Sequence, residues 1–166
     1  MDLLPVAKEI RTAIKQGDAE KVKELIADNK DLLNLLTPFG TWVHVASSRG
    51  KLDIVILLID MGIDINISAG MFGGTAINEA ANEGNLEIVD YLLSCGAKLD
   101  TSEPEKNPLF SAILSGNKDI VQLLLNNGID ASVRYTGEYM KDMDAYDFAI
   151  ERGQKEIAEM LKPYRK

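Results

Sequence analysis

A glycine recurs through this chain at a nearly constant interval, and that interval limits the folds open to it. Gly17, Gly50, Gly84, Gly116 and Gly153 stand 33, 34, 32 and 37 residues apart. An alanine precedes each by four positions, at Ala13, Ala46, Ala80, Ala112 and Ala149. Twelve positions after the first four glycines come Asn29, Gly62, Gly96 and Gly128, residues that tolerate the left-handed conformation at a helix C-terminus. Matching apolar sets lie between, such as Ile54, Val55, Leu57 and Leu58, then Ile88, Val89, Leu92 and Leu93, then Ile120, Val121, Leu123 and Leu124. Such a period marks stacked units, each too small to bury its apolar face except against a neighbour.

The unit is clearest from Gly74 to Gly96. Thr75 is placed to cap a first helix that closes at Gly84. A second helix is predicted from about Leu86 to Ser94, with Gly96 ending it. The same opening stands in the other copies: Thr41-Trp42-Val43-His44-Val45-Ala46, Thr75-Ala76-Ile77-Asn78-Glu79-Ala80, Asn107-Pro108-Leu109-Phe110-Ser111-Ala112 and Asp144-Ala145-Tyr146-Asp147-Phe148-Ala149. Each begins with a capping residue, and Pro108 occupies the first helical position, where a missing N–H costs nothing.

With the period, these segments resemble the ankyrin repeat, a unit of about 33 residues opening Thr-Pro-Leu-His-x-Ala. The exits Gly62-Ile63-Asp64-Ile65-Asn66 and Gly128-Ile129-Asp130-Ala131 are similar to the family's Gly-Ala-Asp-Val-Asn. The resemblance implies an all-α fold, a right-handed solenoid of stacked helix-turn-helix units with short hairpin loops. It covers 1–166 as one domain, with repeats at about 5–40, 41–73, 74–106, 107–143 and 144–166. It further implies that His44 bridges backbone groups of neighbouring loops, and that first-helix and hairpin positions line a concave surface. Of the motif, Lys8 to Ala13 keeps only Ile10 and Ala13, as suits a terminal cap whose outer face meets water. Pro163 should stop the last helix and leave Tyr164-Arg165-Lys166 as a polar tail, so the array is expected to be complete at both ends.

Two connections depart from the pattern. The long gap before Gly153 places about four extra residues within Arg134 to Asp142, either a tolerated loop insertion or part of a binding face. The apolar run Leu32 to Leu36 is expected to form an extra helical turn over the edge of the first repeat.

Catalytic chemistry has little to work with. His44 is the one histidine, too few for a His-based metal cluster or a Ser–His–Asp relay. Cys95, the one cysteine, makes no internal disulfide and has no basic neighbour in sequence, so an ordinary free thiol in a reducing compartment is expected. Gly70-Met71-Phe72-Gly73-Gly74 is glycine-rich without the spacing of a phosphate loop. The expectation is a chain with no catalysis, no metal and no cofactor. Glu79 and Glu83, four apart on one helix, read as a solvated face, as a binding patch, or remotely as the acid–base pair of a hydrolase.

Charge then narrows the partner. The net charge is −8, which disfavours nucleic acid and anionic membranes as ligands. No apolar run approaches the roughly 18 residues of a membrane span. Met1 to Pro5 lacks the basic start of a secretory signal, so a cytoplasmic location is expected. Between Gly74 and Lys106, seven carboxylates face two lysines. Carried onto the concave surface that the resemblance implies, Glu79, Glu83, Glu103 and Glu105 form an acidic patch for a basic partner. Aromatic and variable positions complete the candidate face: Trp42, taken as partly exposed in the first turn of its helix, Met71 and Phe72 at a hairpin tip, and Tyr135 and Tyr139 in the insertion. Arg49, Asn82, Ser115 and Arg152 lie just ahead of the repeat glycines. The reading is a non-enzymatic protein-binding module, monomeric alone. Its size and acidity also resemble the immunity proteins encoded beside secreted bacterial toxins, with an adaptor or signalling inhibitor as the broader alternative.

Overall fold

The computed structural model describes residues 3–27 and 29–166, and its helices fall where the glycine period puts them. Met1 and Asp2, part of the N-terminal stretch read for a signal, lie outside the described residues. The helix pairs are α1 (Leu4–Gln16) with α2 (Ala19–Ile26), α4 (Trp42–Ser48) with α5 (Leu52–Asp60), α6 (Ala76–Asn82) with α7 (Leu86–Ser94), α8 (Pro108–Ser115) with α9 (Lys118–Asn126), and α10 (Ala145–Glu151) with α11 (Lys155–Leu161). A one-turn helix α3 (Lys30–Leu33) stands between the first two pairs, and no strand forms among the described residues.

The pairs stack into two layers. First helices follow one another in the order α1, α4, α6, α8, α10, and second helices in the order α2, α5, α7, α9, α11. The recurring alanines explain the close approach of the first layer: Ala46, Ala80, Ala112 and Ala149 are fully buried and present only a methyl group. The apolar set of each second helix fills the space between layers, with Ile54, Val55, Leu58, Ile88, Val89, Leu92, Ile120, Val121 and Leu124 all buried in one continuous core. Burial of each such side chain contributes about 1.5–3 kcal/mol.

Polar side chains tie one repeat to the next. Asn85 donates its amide to the carbonyl of Ser47 at 2.7 Å, and Asn117 donates to the carbonyl of Gly84 at 3.4 Å. The residue after one repeat glycine thus ties its unit to a carbonyl at or just past the end of the preceding first helix. Gly116 shows why glycine is favoured there: its φ is +67°, and an added Cβ would also push aside the side-chain amide of Gln154, 2.8 Å away.

His44 makes the bridge expected of it. Its Nδ1 accepts the Thr41 backbone N–H at 3.3 Å, which leaves Nε2–H to donate to the carbonyl of Gly74 at 3.2 Å. Asn78 repeats this one unit later, accepting from the Thr75 N–H at 2.9 Å and donating to the Lys106 carbonyl at 2.9 Å. Burial lowers the His44 pKa, against smaller opposing contributions from its backbone hydrogen bonds. The buried ring is neutral in the fold and charges more easily in the unfolded chain. Its contribution to stability is therefore complete above about pH 6.5 and is lost as pH falls through that value toward the lower folded pKa. Urea unfolding at pH 7 and pH 5.5 should show wild type losing up to about 1 kcal/mol more than His44→Asn, which keeps the bridge without the titration. Glu79, whose folded pKa is raised, works in the opposite direction above pH 4.5 and cancels in that comparison. Equal losses in the two proteins would remove His44 as the cause.

Three expectations change. Trp42 is not a surface anchor: it is 1% exposed, and its indole Nε1 donates to the carbonyl of Leu32 at 2.6 Å. The apolar run beside the first repeat supplies its cover, since α3 buries Leu32 and Leu33 while Leu36 stays exposed. Asn29 does not close α2 in a left-handed turn; at φ −83° it caps α3 through its side chain, and the positive φ belongs to Ala27. The end of the chain is not a free tail. Lys162–Tyr164 forms a 3₁₀ turn, and Arg165 pairs with Asp144 at 3.1 Å and Asp147 at 2.7 Å while lying 4.3 Å above the Tyr146 ring.

Candidate functional site

The departures from the repeat motif gather at one place. In the slot held by His44 and Asn78, the next unit carries Phe110, which has no hydrogen bond to offer the adjoining loop. Tyr135, from the following connection, takes over. Its hydroxyl donates to the carbonyl of Thr101 at 2.7 Å and accepts the Asn107 amide at 3.0 Å. Burial raises the phenol pKa, which keeps that donor proton in place. The Tyr135 ring meets Phe110 edge-on at 5.1 Å between centroids, and Phe148 stacks on Phe110 at 4.7 Å. Three rings from successive units replace a polar bridge.

Those rings floor a groove with a volume of about 470 Å³. Its walls come from α6, α8 and α10, the hairpin carrying Phe72, the 3₁₀ turn Pro104–Lys106 and the insertion from Tyr135 to Met140. The insertion is shaped by antiparallel pairing of Tyr135 with Met143 and by a hydrogen bond from Gly137 N–H to the Met140 carbonyl. Arg134 clamps its base through Asp142, Asp144 and Asp147. Apolar side chains stand open to solvent around the floor: Phe72 is 65% exposed, Leu114 51% and Tyr139 79%.

Charge is divided along the groove. Glu79, Glu105 and Glu138 line it, and Arg152 lies at the far wall with its guanidinium 4.9 Å from the Phe148 ring centroid. The Glu79 carboxyl is held above its ordinary pKa, chiefly by burial and then by the neighbouring charge of Glu83. Among the described residues Arg152 makes no ion pair.

Of the candidate residues, the fold brings Phe72, Glu79, Asn82, Glu105, Tyr135, Tyr139 and Arg152 to this groove. Tyr135 is there as a buried pillar, 8% exposed, and not as the exposed anchor expected of an insertion. Glu83 sits at the end of α6 beside Glu79 but outside the lining, and Met71 points to solvent from the hairpin tip. Glu103 is held by Lys106 at 2.9 Å, and the Ser115 hydroxyl donates to the Ala112 carbonyl at 3.0 Å. Arg49 ends α4, two units away from the groove floor, and Trp42 is in the core. The candidate set did not include Leu114, Phe110, Phe148 and Met140, which all line the groove. Leu114 had a signal: it is apolar where the other units place Ser48, Asn82 and Glu151.

No group of three or more histidine, cysteine or acidic side chains is placed to hold a metal ion among the described residues. No helix there is long and apolar enough to cross a membrane. Cys95 is exposed and unpaired with another cysteine.

The comparisons agree with the geometry. A family model described as ankyrin repeats (3 copies) matches residues 10–103 and 43–135. Mouse protein phosphatase 1 regulatory subunit 27 is 32% identical over 118 residues, covering 70% of this chain and 76% of that protein. Rat ankyrin repeat and SAM domain-containing protein 6 is 31% identical over 117 residues, 70% of this chain but 13% of the relative. The palmitoyltransferase AKR1 of Lachancea kluyveri is 31% identical over 132 residues, 76% of this chain and 18% of the relative. The chain thus spans less than a fifth of the length of these two larger relatives. Ankyrin repeats are protein–protein interaction modules and are generally non-enzymatic, though one of these relatives carries the name of an enzyme. The matched family model, the recurring helix pairs and the His44 bridge together establish that this chain belongs to the ankyrin-repeat family.

Proposed function

We propose that the chain is a non-catalytic binding module that holds a basic protein partner in the groove between its third, fourth and fifth helix pairs. The observation that carries this reading is the groove itself, a buried aromatic floor rimmed by exposed apolar side chains and acidic walls. Phe72, Leu114 and Tyr139 expose apolar area that no neighbouring repeat covers, and such patches mark interaction sites. Aromatic residues are favoured anchors at interfaces. The glutamates around them, in a chain of net charge −8, steer and orient a basic surface. The same charge disfavours nucleic acid and anionic membrane as ligands, and a monomer in a reducing compartment such as the cytoplasm suits the single unpaired cysteine. Immunity against a basic secreted toxin is one form this reading can take. A neighbouring reading frame encoding such a toxin would support that form, and a toxin-free neighbourhood would count against it.

The test is a charge reversal. A photo-crosslinking residue at position 114 identifies the captured partner in a lysate of the source organism. Glu79→Lys with Glu83→Lys should then weaken that partner's affinity about tenfold or more and flatten its salt dependence. The unfolding midpoint should stay within that of wild type, because Glu79 and Glu83 make no ion pair among the described residues. Unchanged affinity and salt dependence would reduce the acidic wall to a solvated surface.

A further inference from the structure

The groove is polar at its two ends in opposite senses and apolar between. Glu79 stands on α6 and Glu105 on the 3₁₀ turn before α8, Glu138 lines the groove from the insertion, Arg152 stands at the end of α10, and Leu114 of α8, the helix between α6 and α10, is exposed. We infer that the groove takes an extended peptide segment of the partner with a basic, an apolar and an acidic side chain in that spatial order. The inference rests on the binding reading above and names its occupant.

Three observations carry it. The apolar middle is a built surface and not a chance exposure: Phe110 is fixed between Tyr135 and Phe148, and Tyr135 is anchored by two hydrogen bonds. An apolar ligand side chain there covers Leu114, Phe72 and Tyr139 without reorganising the floor. Glu79 and Glu105 form no ion pair among the described residues. Lys106, the basic residue of that turn, makes its ion pair with Glu103 at 2.9 Å. The cation of the groove is likewise unpaired. Arg152 is preoriented by stacking on Phe148, yet pairs with no carboxylate of the described chain. Arg134 and Arg165 differ from it in this respect, since both are consumed by Asp144 and Asp147.

Spacing sets the length. Packed helices lie about 8–10 Å apart, so α6 to α10 spans roughly 16–20 Å. An extended peptide rises about 3.3 Å per residue and alternates its side chains, so positions i, i+2 and i+4 face one surface over about 13 Å. Long lysine and glutamate side chains cover the remaining distance. A helical ligand rises about 6 Å over the same four residues and would need about eleven to thirteen to span both ends, so the short peptide is extended.

The experiment uses the full chain with four peptides, Gly-Lys-Ser-Leu-Ser-Glu-Gly and its versions with lysine replaced by glutamate, leucine by serine, or glutamate by lysine. Binding is followed by amide chemical shifts, which read weak affinities. The first peptide should bind most tightly and shift the amides of Glu79, Leu114 and Arg152. Each replacement should weaken binding about tenfold, within the range that contacting pairs show in double-mutant cycles. Glu79→Lys should restore binding of the version with glutamate in place of lysine, and Arg152→Glu should restore the version with lysine in place of glutamate. Equal binding by all four peptides, or no recovery in either charge swap, overturns the inference. Failure of the peptides, while Glu79→Lys with Glu83→Lys still weakens the crosslinked partner, overturns the occupant and leaves the binding reading standing. If that variant also holds its partner unchanged, the binding reading itself falls.

Discussion

Trp42→Ala will destabilise the protein by about 3–5 kcal/mol, the usual cost of emptying a buried tryptophan site. The side chain is fully enclosed between the first two helix pairs, and its indole is the donor for the Leu32 carbonyl. Alanine leaves a cavity and removes the shorter of the hydrogen bonds to the Leu32 carbonyl, which keeps the Leu35 N–H at 3.3 Å. Trp42→Phe fills most of the cavity but loses the indole hydrogen bond, and should cost about 1–2 kcal/mol. In a stacked array the damage should be local, so the alanine variant should also show a shallower urea transition as the first pair separates from the rest. Trp42 is the one tryptophan, so its fluorescence checks the placement directly. Emission at buried wavelengths with poor quenching by acrylamide is expected, and efficient quenching with a mild alanine effect would return it to the surface.

The second large effect lies at the other end. Asp144→Ala is expected to cost about 2–3 kcal/mol, combining a lost helix cap with a broken buried ion cluster. The Asp144 side chain is 2% exposed; it accepts the Asp147 N–H and receives both Arg134 at 3.0 Å and Arg165 at 3.1 Å. Asp144→Asn retains the cap acceptor and should cost roughly half as much. Arg134→Ala and Arg165→Ala should each be mild, because the other arginine still compensates the carboxylate. Together they should cost clearly more than their sum, since the buried charge then has no cation. Thermal unfolding of the four arginine combinations decides it, and strict additivity would mean that the cluster does not act as a unit.

Much of this was legible from residue order. Spacing alone located the helix pairs, because a Gly in left-handed conformation must follow each first helix and an alanine must stand where two first helices touch. The capping residues Thr41, Thr75, Asn107 and Asp144 were equally plain, since a cap is a local property of four consecutive residues. The His44 bridge followed from the family motif. Of the thirteen candidate residues, Phe72, Glu79, Asn82, Glu105, Tyr135, Tyr139 and Arg152 fall at the groove on which the proposal rests.

What escaped was decided by which surfaces happen to meet. Nothing local says that Trp42 points into the seam beneath α3, because the same first-turn position is a small alanine or a proline in the next two units. Tyr135 and Tyr139 are four residues apart in one insertion, yet one is a hydrogen-bonded pillar and the other is open to solvent. Arg165 looked like tail because its partners, Asp144 and Asp147, lie about twenty residues earlier in the chain.

The sequence by itself determined the repeat, its glycine stops and its stacking order, since those depend on contacts that recur at fixed spacing. The glutamates of Gly74 to Lys106 were also countable in advance. Only the tertiary structure decided that Glu79 and Glu105, Leu114 and Arg152 share one groove. The physical reason is that the floor depends on a substitution, Phe110 in the bridging slot, and on a tyrosine from another connection folding back to replace the lost hydrogen bond. Periodicity records what the units have in common, whereas the groove is made from the places where they differ.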